Sequence, residues 1–255
     1  MTELAEKIKL ESAFSGHLAA LNTEMVSVFA RNPQVPDFAV RAQEPLATLL
    51  LSHFHKTSQK FDDRISGKLP LTLQASNRER ADIEFTLSQY FQKKAPEQAR
   101  IILATTQRQA EEAGGLAQRI EMDPGLIPLV ATGLFARSLL SRTKAIAVFE
   151  TQAAAEASKM TEAEVLLGLS PSVRERSPAI SSPIMRTWLH MGDAHVRSAH
   201  LSAGGQKAPM GSPFTVMGQE LMFPGDTSLG ATIDNTINCR CSIIYDTQGI
   251  GEARA

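Results

Sequence analysis

Residues able to do chemistry concentrate between Trp188 and Cys241. Trp188, His190, Asp193, His195, Arg197 and His200 fall within thirteen residues, and the only two cysteines, Cys239 and Cys241, stand one residue apart. A helix over Asp193 to Leu201 would set Asp193, Arg197 and His200 on one face by i, i+4 and i+3 spacing. In a strand, positions i and i+2 point the same way, so Cys239 and Cys241 would present two sulfurs to one side. Three chemistries fit such a set. The first is a metal site, in which Cys239 and Cys241 join one or two of His200, His195, His190 and Asp193; thiolates and imidazoles are zinc ligands, and four of them close a structural site. A single residue between the cysteines is shorter than the usual zinc spacing. The second is a thiolate nucleophile activated by histidine. The third is structural: two small buried hydrophobes on a strand, with Asp193 and Arg197 as a helical ion pair. A disulfide between Cys239 and Cys241 would be strained.

These residues need elements to position them. The strand carrying the cysteines is expected over Ile237 to Tyr245. A hairpin is expected from Phe214–Met217 and Glu220–Phe223 around a Gly218-Gln219 turn. Trp188, the sole tryptophan, suits the centre of a small core, while Asp226 and Asn238 suit turns at strand ends. Residues 170–182, with repeated proline and serine, read as a linker or long loop.

The first half reads as helix. Phe14, Leu18, Leu21, Met25 and Val28 form one apolar stripe, ended by Asn32-Pro33 and Pro36. A second helix is expected over Phe38 to Gln59, burying Leu46, Leu49, Leu50 and Phe54, with His53 and His55 as ordinary helix residues. Ser66 to Pro70 is a loop. Ser76-Asn-Arg-Glu79 is a capping box opening a helix with Ile83, Leu87, Tyr90 and Phe91 on one side. Pro96 suits the first turn of the helix running to Ala113, which Gly114-Gly115 breaks. Asp123-Pro124-Gly125 marks a turn. Helix resumes over Ile127 to Lys159, and Thr161-Glu-Ala-Glu164 caps another short one.

The class is therefore α+β: an all-α helical N-terminal half and a small α+β C-terminal domain containing a short antiparallel sheet. The divisions expected are 1–136, 137–246 and a tail, 247–255. With 26 Lys+Arg against 27 Asp+Glu the net charge is −1, which excludes a uniformly basic nucleic-acid binder. Lys93, Lys94 and Arg100 offer at most a local DNA-facing patch and read first as a solvated helix face. Two cysteines exclude a disulfide-stapled scaffold. The N-terminus mixes both charges and lacks the apolar core of a signal peptide, so none is expected, and the longest apolar stretch, Gly125 to Ala136, is too short for a bilayer and holds Pro128.

The order of motifs resembles a known family. Trp188, Asp193, Arg197 and His200, then Gly204-Gly205, Phe223-Pro224-Gly225-Asp226 and Asn238-Cys239-Arg240-Cys241, are similar to the phage head morphogenesis family, that of phage Mu protein F and related minor head proteins of tailed phages. Ser141-Arg-Thr-Lys-Ala, Glu150 and the Thr105-Thr106 stretch extend the resemblance to roughly Ile101–Asp246. Two positions depart from it: His195 stands where relatives often carry arginine, and Lys144 where they usually carry glutamate.

The resemblance implies a minor capsid protein of a tailed phage, associated with the portal inside the head and assisting head assembly and genome packaging or ejection. It brings no established enzymatic activity and no catalytic residue. It implies the portal protein as partner, with packaged DNA and scaffold or capsid proteins as further candidates, and no membrane. The place implied is the virion, near the portal vertex, after assembly in the host cytoplasm. It adds weight to a structural zinc held by His200, Cys239 and Cys241. Two readings from other classes stay open: a nuclease or transferase built on Asp193, Arg197, His200 and Asn238, and a non-catalytic DNA-binding module.

Overall fold

The fold was analysed in a computed structural model, which describes residues 3–31, 38–61, 75–120, 123–168, 184–192, 196–237 and 239–246. Four long helices come first: α1 (Glu3–Arg31), α2 (Phe38–Phe61), α3 (Asn77–Arg119) and α4 (Ile127–Ala163), the last continued by one π turn, Glu164–Gly168. Short elements follow: β1 (Met185–Leu189), α5 (Ser198–Ala203), β2 (Lys207–Pro209), β3 (Phe214–Val216), β4 (Gln219–Leu221), α6 (Ile233–Thr236) and β5 (Ser242–Tyr245). The class is α+β, with the helices leading and the short antiparallel sheets near the C-terminus, as the sequence pattern predicts. The chain forms two compact units, one from Met1–His55 and Tyr90–Val148, the other from Lys56–Gln89 and Phe149–Ala255, so the interior division falls at 148/149 and the segment 56–89 groups with the C-terminal part.

The described residues of the first unit are helical apart from Ile120 and Asp123. Along α1 the buried positions after Lys7 are Phe14, Leu18, Asn22, Met25 and Phe29, the spacing of a stripe facing neighbouring helices. Leu21 and Val28 flank that stripe and are half-buried. Phe29 meets Phe135 of α4 with ring centroids 4.7 Å apart, and Phe54 of α2 meets Phe91 of α3 at 5.2 Å. His53 is buried with its ring stacked on Phe14 at 4.1 Å, and His55 lies edge-on to Phe91. Asn22 interrupts the apolar stripe without penalty, because its amide donates to Thr143 Oγ1 at 2.8 Å.

Several local signals hold. Ser76 and Glu79 form the reciprocal capping box: the Ser76 amide donates to Glu79 Oε2 at 2.9 Å, and the Glu79 amide to Ser76 Oγ at 3.3 Å. Asp123 Oδ1 accepts from the Gly125 amide, fixing the expected turn at Pro124–Leu126. Other signals are overridden. α3 runs unbroken for 43 residues through Pro96 and Gly114-Gly115, because buried Ala95, Ala99, Ala110, Ala113 and Ala117 tie it into cores on both sides of those residues. Thr161 lies inside α4 rather than capping a new helix. The apolar stretch after Gly125 belongs to a helical run, Pro124–Leu166, long and apolar enough to cross a membrane by length and composition alone, a test that core helices of soluble proteins also pass. The expected loops at 66–70 and 170–182 lie outside the described residues.

In the second unit, the end of α4 is enclosed on all sides: every residue from Phe149 to Met160 is buried. Its alanines allow close approach. A Cβ on Gly225 (φ +85) would sit 3.2 Å from the Ala153 Cβ, so the Phe223–Asp226 turn needs glycine twice over, for conformation and for space. Antiparallel β1 is the middle strand of the order β2-β1-β5, pairing Trp188 with Ile243 and Arg186 with Ala208. β5 is an edge strand, and α4 covers it: Glu156 Oε2 accepts from the Ile243 amide at 3.2 Å and Oε1 from Ser242 Oγ at 2.9 Å, while Lys159 pairs with Glu156 at 2.6 Å. The β3–β4 hairpin forms, but one residue earlier than expected. Its turn residues are Met217 (φ 53) and Gly218 (φ 70), both in the left-handed region that a tight two-residue turn demands.

Candidate metal centre

Three elements deliver one side chain each to a buried cluster. β1 places Trp188 at the sheet centre, fully buried against Phe214, with ring centroids 5.5 Å apart. α5 carries His200. Its entry is fixed by Arg197, at the N-cap position, whose guanidinium donates to the Ile237 carbonyl. The helix begins at Ser198, so Arg197 anchors backbone instead of sharing a helical face with His200, and Asp193, from which the helix is expected, lies outside the described residues. α6 carries Asn235, and the chain leaving it turns through a Cys239 amide bond to the Thr236 carbonyl, 3.2 Å. Cys239 and Cys241 lie in this irregular lead-in to β5, not within a strand as expected. The Cys241 carbonyl accepts from Gln152 of α4, which pins the main chain between the two sulfurs and the sheet.

His200, Cys239 and Cys241 are all buried, at 2, 3 and 3% exposure, and their ligand atoms lie within 4.8 Å of one another. Each Sγ is 3.5 Å from His200 Nδ1. A tetrahedral zinc, with Zn–S about 2.3 Å and Zn–N about 2.0–2.1 Å, sets sulfur–nitrogen edges of about 3.6 Å. The group fits. The other ring nitrogen decides the tautomer. His200 Nε2 faces Asn235 Oδ1 at 3.0 Å, and the orientation of that amide is fixed because Asn235 Nδ2 donates to the Val216 carbonyl at 2.9 Å and to Gln219 Oε1 at 3.1 Å. Nε2 therefore carries the proton donated to Asn235, and Nδ1 is left to face the sulfurs. This is the arrangement of a ligating histidine, and among the described residues the group can hold a metal ion.

Electrostatics point the same way. A hydrogen bond from the Cys239 thiol, and a further one from His200, outweigh burial and bring Cys241 down to about 5. The same sulfur–sulfur hydrogen bond and burial push Cys239 well above its ordinary value. His200 is raised, chiefly by its hydrogen bond to Cys241. Without metal, these shifts favour the thiolate at Cys241, with Cys239 keeping its proton and protonation of His200 favoured beside it. A cation bound there would displace those protons.

The remaining motif residues support this centre or lie apart from it. Asp226 closes its own turn, with Oδ2 accepting from the Met222 amide and Oδ1 from the Ser228 amide; Pro224 beside it is buried. Arg240 is half-buried between the two cysteines. His190 is half-buried and packs on Gly204, apart from the sulfur cluster, so it is not among the ligands. Asp193, His195 and Asn238 lie outside the described residues. Of the cluster Asp193, Arg197, His200 and Asn238, the two described members face a backbone carbonyl and the sulfur–asparagine pocket. Lys94 is buried while Lys93 and Arg100 are exposed, so these three do not form one basic face.

Four residues escaped sequence reasoning. Asn235 orients the histidine, and only its position three residues before Asn238 hinted at it. Gln152 and Glu156 are buried polar groups of an otherwise alanine-rich helix. Arg186 is fully buried, donating to the carbonyls of Met222 (2.7 Å), Pro209 (3.3 Å) and Ser212, with its guanidinium over Phe214. Alternation over Met185–Leu189 was the available signal for the strand that holds it. Set against protein-family models, curated proteins and solved structures, the chain matches none.

Proposed function

We propose that this chain is a minor capsid protein of a tailed phage, associated with the portal inside the head, and that its C-terminal unit is held together by a structural zinc on His200, Cys239 and Cys241. What carries the reading is the fate of the motif residues. Trp188, His200, Pro224, Asp226, Cys239 and Cys241, quoted for the resemblance, are buried in a closed packing, and half-buried Arg197 is spent on the Ile237 carbonyl. A reaction centre needs a place for substrate beside its acid, base or nucleophile. A structural centre needs the burial seen here, and His200, Cys239 and Cys241 supply three of the four ligands that would close it. Zinc would supply a crosslink between α5 and the lead-in to β5, a contribution to folding itself. Purified virions or proheads of the encoding phage should contain the chain at low copy number, and it should co-purify with the portal. Its absence from both particles would end this reading.

One observation favours a second reading. His200 Nδ1 lies 3.5 Å from the Cys241 sulfur, whose thiol is brought down to about 5, the pairing that favours a thiolate nucleophile. Iodoacetamide discriminates: a nucleophile serving substrate is alkylated rapidly in the native, chelator-treated protein. A buried ligand reacts only on unfolding.

A further inference from the structure

We propose that the outward side of the first half of α4 is an interface with a second copy of this chain, the two helices running antiparallel. The inference concerns the first unit alone and stands apart from the portal and metal readings. This part of α4 is covered on one side. Ala131, Phe135, Leu139 and Thr143 are buried at i, i+4 spacing. Phe135 meets Phe29 and Thr143 holds Asn22, both of α1, while Arg142 donates to Thr106 and Gln109 of α3. About a third of the way around the helix, Leu129, Gly133, Ala136 and Leu140 recur at spacings of four, three and four, the seam of a coiled coil. Leu126, in the turn before the helix, continues it. Leu129 and Leu140 are each 70% exposed and Leu126 50%. Gly133 is exposed, and a Cβ there would meet nothing within 4 Å. The most apolar part of the run Pro124–Leu166 is only 17% buried, so it is not a helix enclosed by its own chain. An exposed apolar seam of this kind marks a contact with something else.

Charge selects the occupant and its direction. Between Asp123 and Glu150 the chain carries no acid; its charges there are Arg137, Arg142 and Lys144. Arg137 and Lys144 are exposed and border the seam on one side, at the flanking positions of the same heptads. In a parallel pair residues of like number lie side by side, and no acid comes near either cation. An antiparallel pair behaves differently. Setting Leu129 against Leu140 of the second copy also sets Gly133 against Ala136, small against small. It brings Lys144 across from residues 123–125 of the second copy, beside exposed Asp123. The two-fold axis repeats that ion pair at the other end of the seam. A bilayer would have to take Arg137 into the middle of the apolar side, whereas the seam leaves it at the rim.

Sedimentation velocity of the full chain over a range of concentrations is the test, and the parent should pass from monomer to dimer. The double variant Leu129→Ser, Leu140→Ser alters only exposed side chains. At dilution its helix content and unfolding midpoint should match the parent's, while its dimer affinity falls by at least about 100-fold. Lys144→Glu and Asp123→Lys should each weaken the dimer by about tenfold, since two like-charge contacts replace two ion pairs. Mixed in equal amounts, these two variants should recover the parent's affinity as a heterodimer, because opposite charges then meet at both ends of the seam. That recovery tests the antiparallel register even if the serine variant fails to fold. A monomeric parent, a dimer indifferent to the leucine changes, or a mixture no tighter than its components overturns the proposal. So does a monomeric parent that binds phosphatidylcholine vesicles containing phosphatidylserine and loses that binding with Leu129 and Leu140, which would make lipid the occupant.

Discussion

Asn235 gives the sharpest handle on the centre, since it touches His200 and no sulfur. Replacing it by leucine, of similar size, removes the acceptor for His200 Nε2–H at 3.0 Å and the donor to the Val216 carbonyl at 2.9 Å. Gln219 Oε1 keeps its bond from the Thr232 amide at 3.0 Å and is not orphaned. Two buried polar groups lose their partners, at about 1–3 kcal/mol each, so the metal-free unit should lose about 2–6 kcal/mol. That is a large part of the roughly 5–15 kcal/mol available to a typical domain. The imidazole is also freed to change tautomer or rotate, which should weaken zinc binding about 10- to 100-fold. Asn235→Asp separates the two effects. Its carboxylate still accepts from Nε2 but can no longer donate to Val216. It should destabilise the fold comparably yet keep more of the zinc affinity than leucine does. Urea unfolding in chelator, followed by fluorescence of Trp188, reads the first effect, and chelator competition on the folded protein reads the second. If the leucine variant binds zinc as tightly as the parent, Asn235 does not orient the ligand and the tautomer argument fails.

Further consequences can be checked separately. Gly225→Ala and Gly230→Ala both force a left-handed backbone on alanine (φ +85 and +87), at about 1–2 kcal/mol, but only the first also drives a Cβ onto Ala153. Denaturant titration should therefore find Gly225→Ala clearly the more destabilising, and equal losses would refute the close packing of that turn on α4. Arg186→Leu strands the carbonyls of Met222, Pro209 and Ser212 and should cost about 3 kcal/mol or more. A neutral effect on unfolding would show that the guanidinium is dispensable. Acid should release the metal. Cys241 is already a thiolate above about 5, so zinc displaces protons mainly from Cys239 and His200, and log affinity should rise by about one per pH unit for each proton displaced. Calorimetry in buffers of different ionisation enthalpy counts those protons, and none released would contradict the assigned charge state. In the metal-free protein the depressed Cys241 pKa stabilises the folded state above the thiol's ordinary range, and that contribution is lost as pH falls through about 5. Cys241→Ser should flatten that acid limb of the stability profile.

What the sequence revealed depended on how local the cause was. The capping box at Ser76 and Glu79 is a four-residue device, and it forms as written. The stripe of α1 is a periodicity, and it buries Phe14, Leu18 and Met25 as read, displaced only where Asn22 and Phe29 face inward in place of Leu21 and Val28. The hairpin slipped by one residue because a methionine at positive φ leaves no mark in sequence; Gly218 alone did not say which turn position it held. Pro96 and Gly114-Gly115 looked like breaks because their propensity is local, whereas the packing that carries α3 through them is not. At the candidate site, residue types identified His200, Cys239 and Cys241, but their meeting depends on Arg197 holding the Ile237 carbonyl and Gln152 holding Cys241. Asn235 and Arg186 were silent for a related reason. Their importance comes from burial beside acceptors far away in sequence, which no spacing rule encodes.

The metal content of the full chain, purified without chelator and measured by elemental analysis beside Cys239→Ser, is the most direct test of a centre built on His200, Cys239 and Cys241. One equivalent of zinc per chain, lost in the serine variant together with stability of the C-terminal unit, is the expected result. A folded, metal-free parent that tolerates Cys239→Ser would mean that the two sulfurs and the imidazole are only packed together, and that no ion holds them.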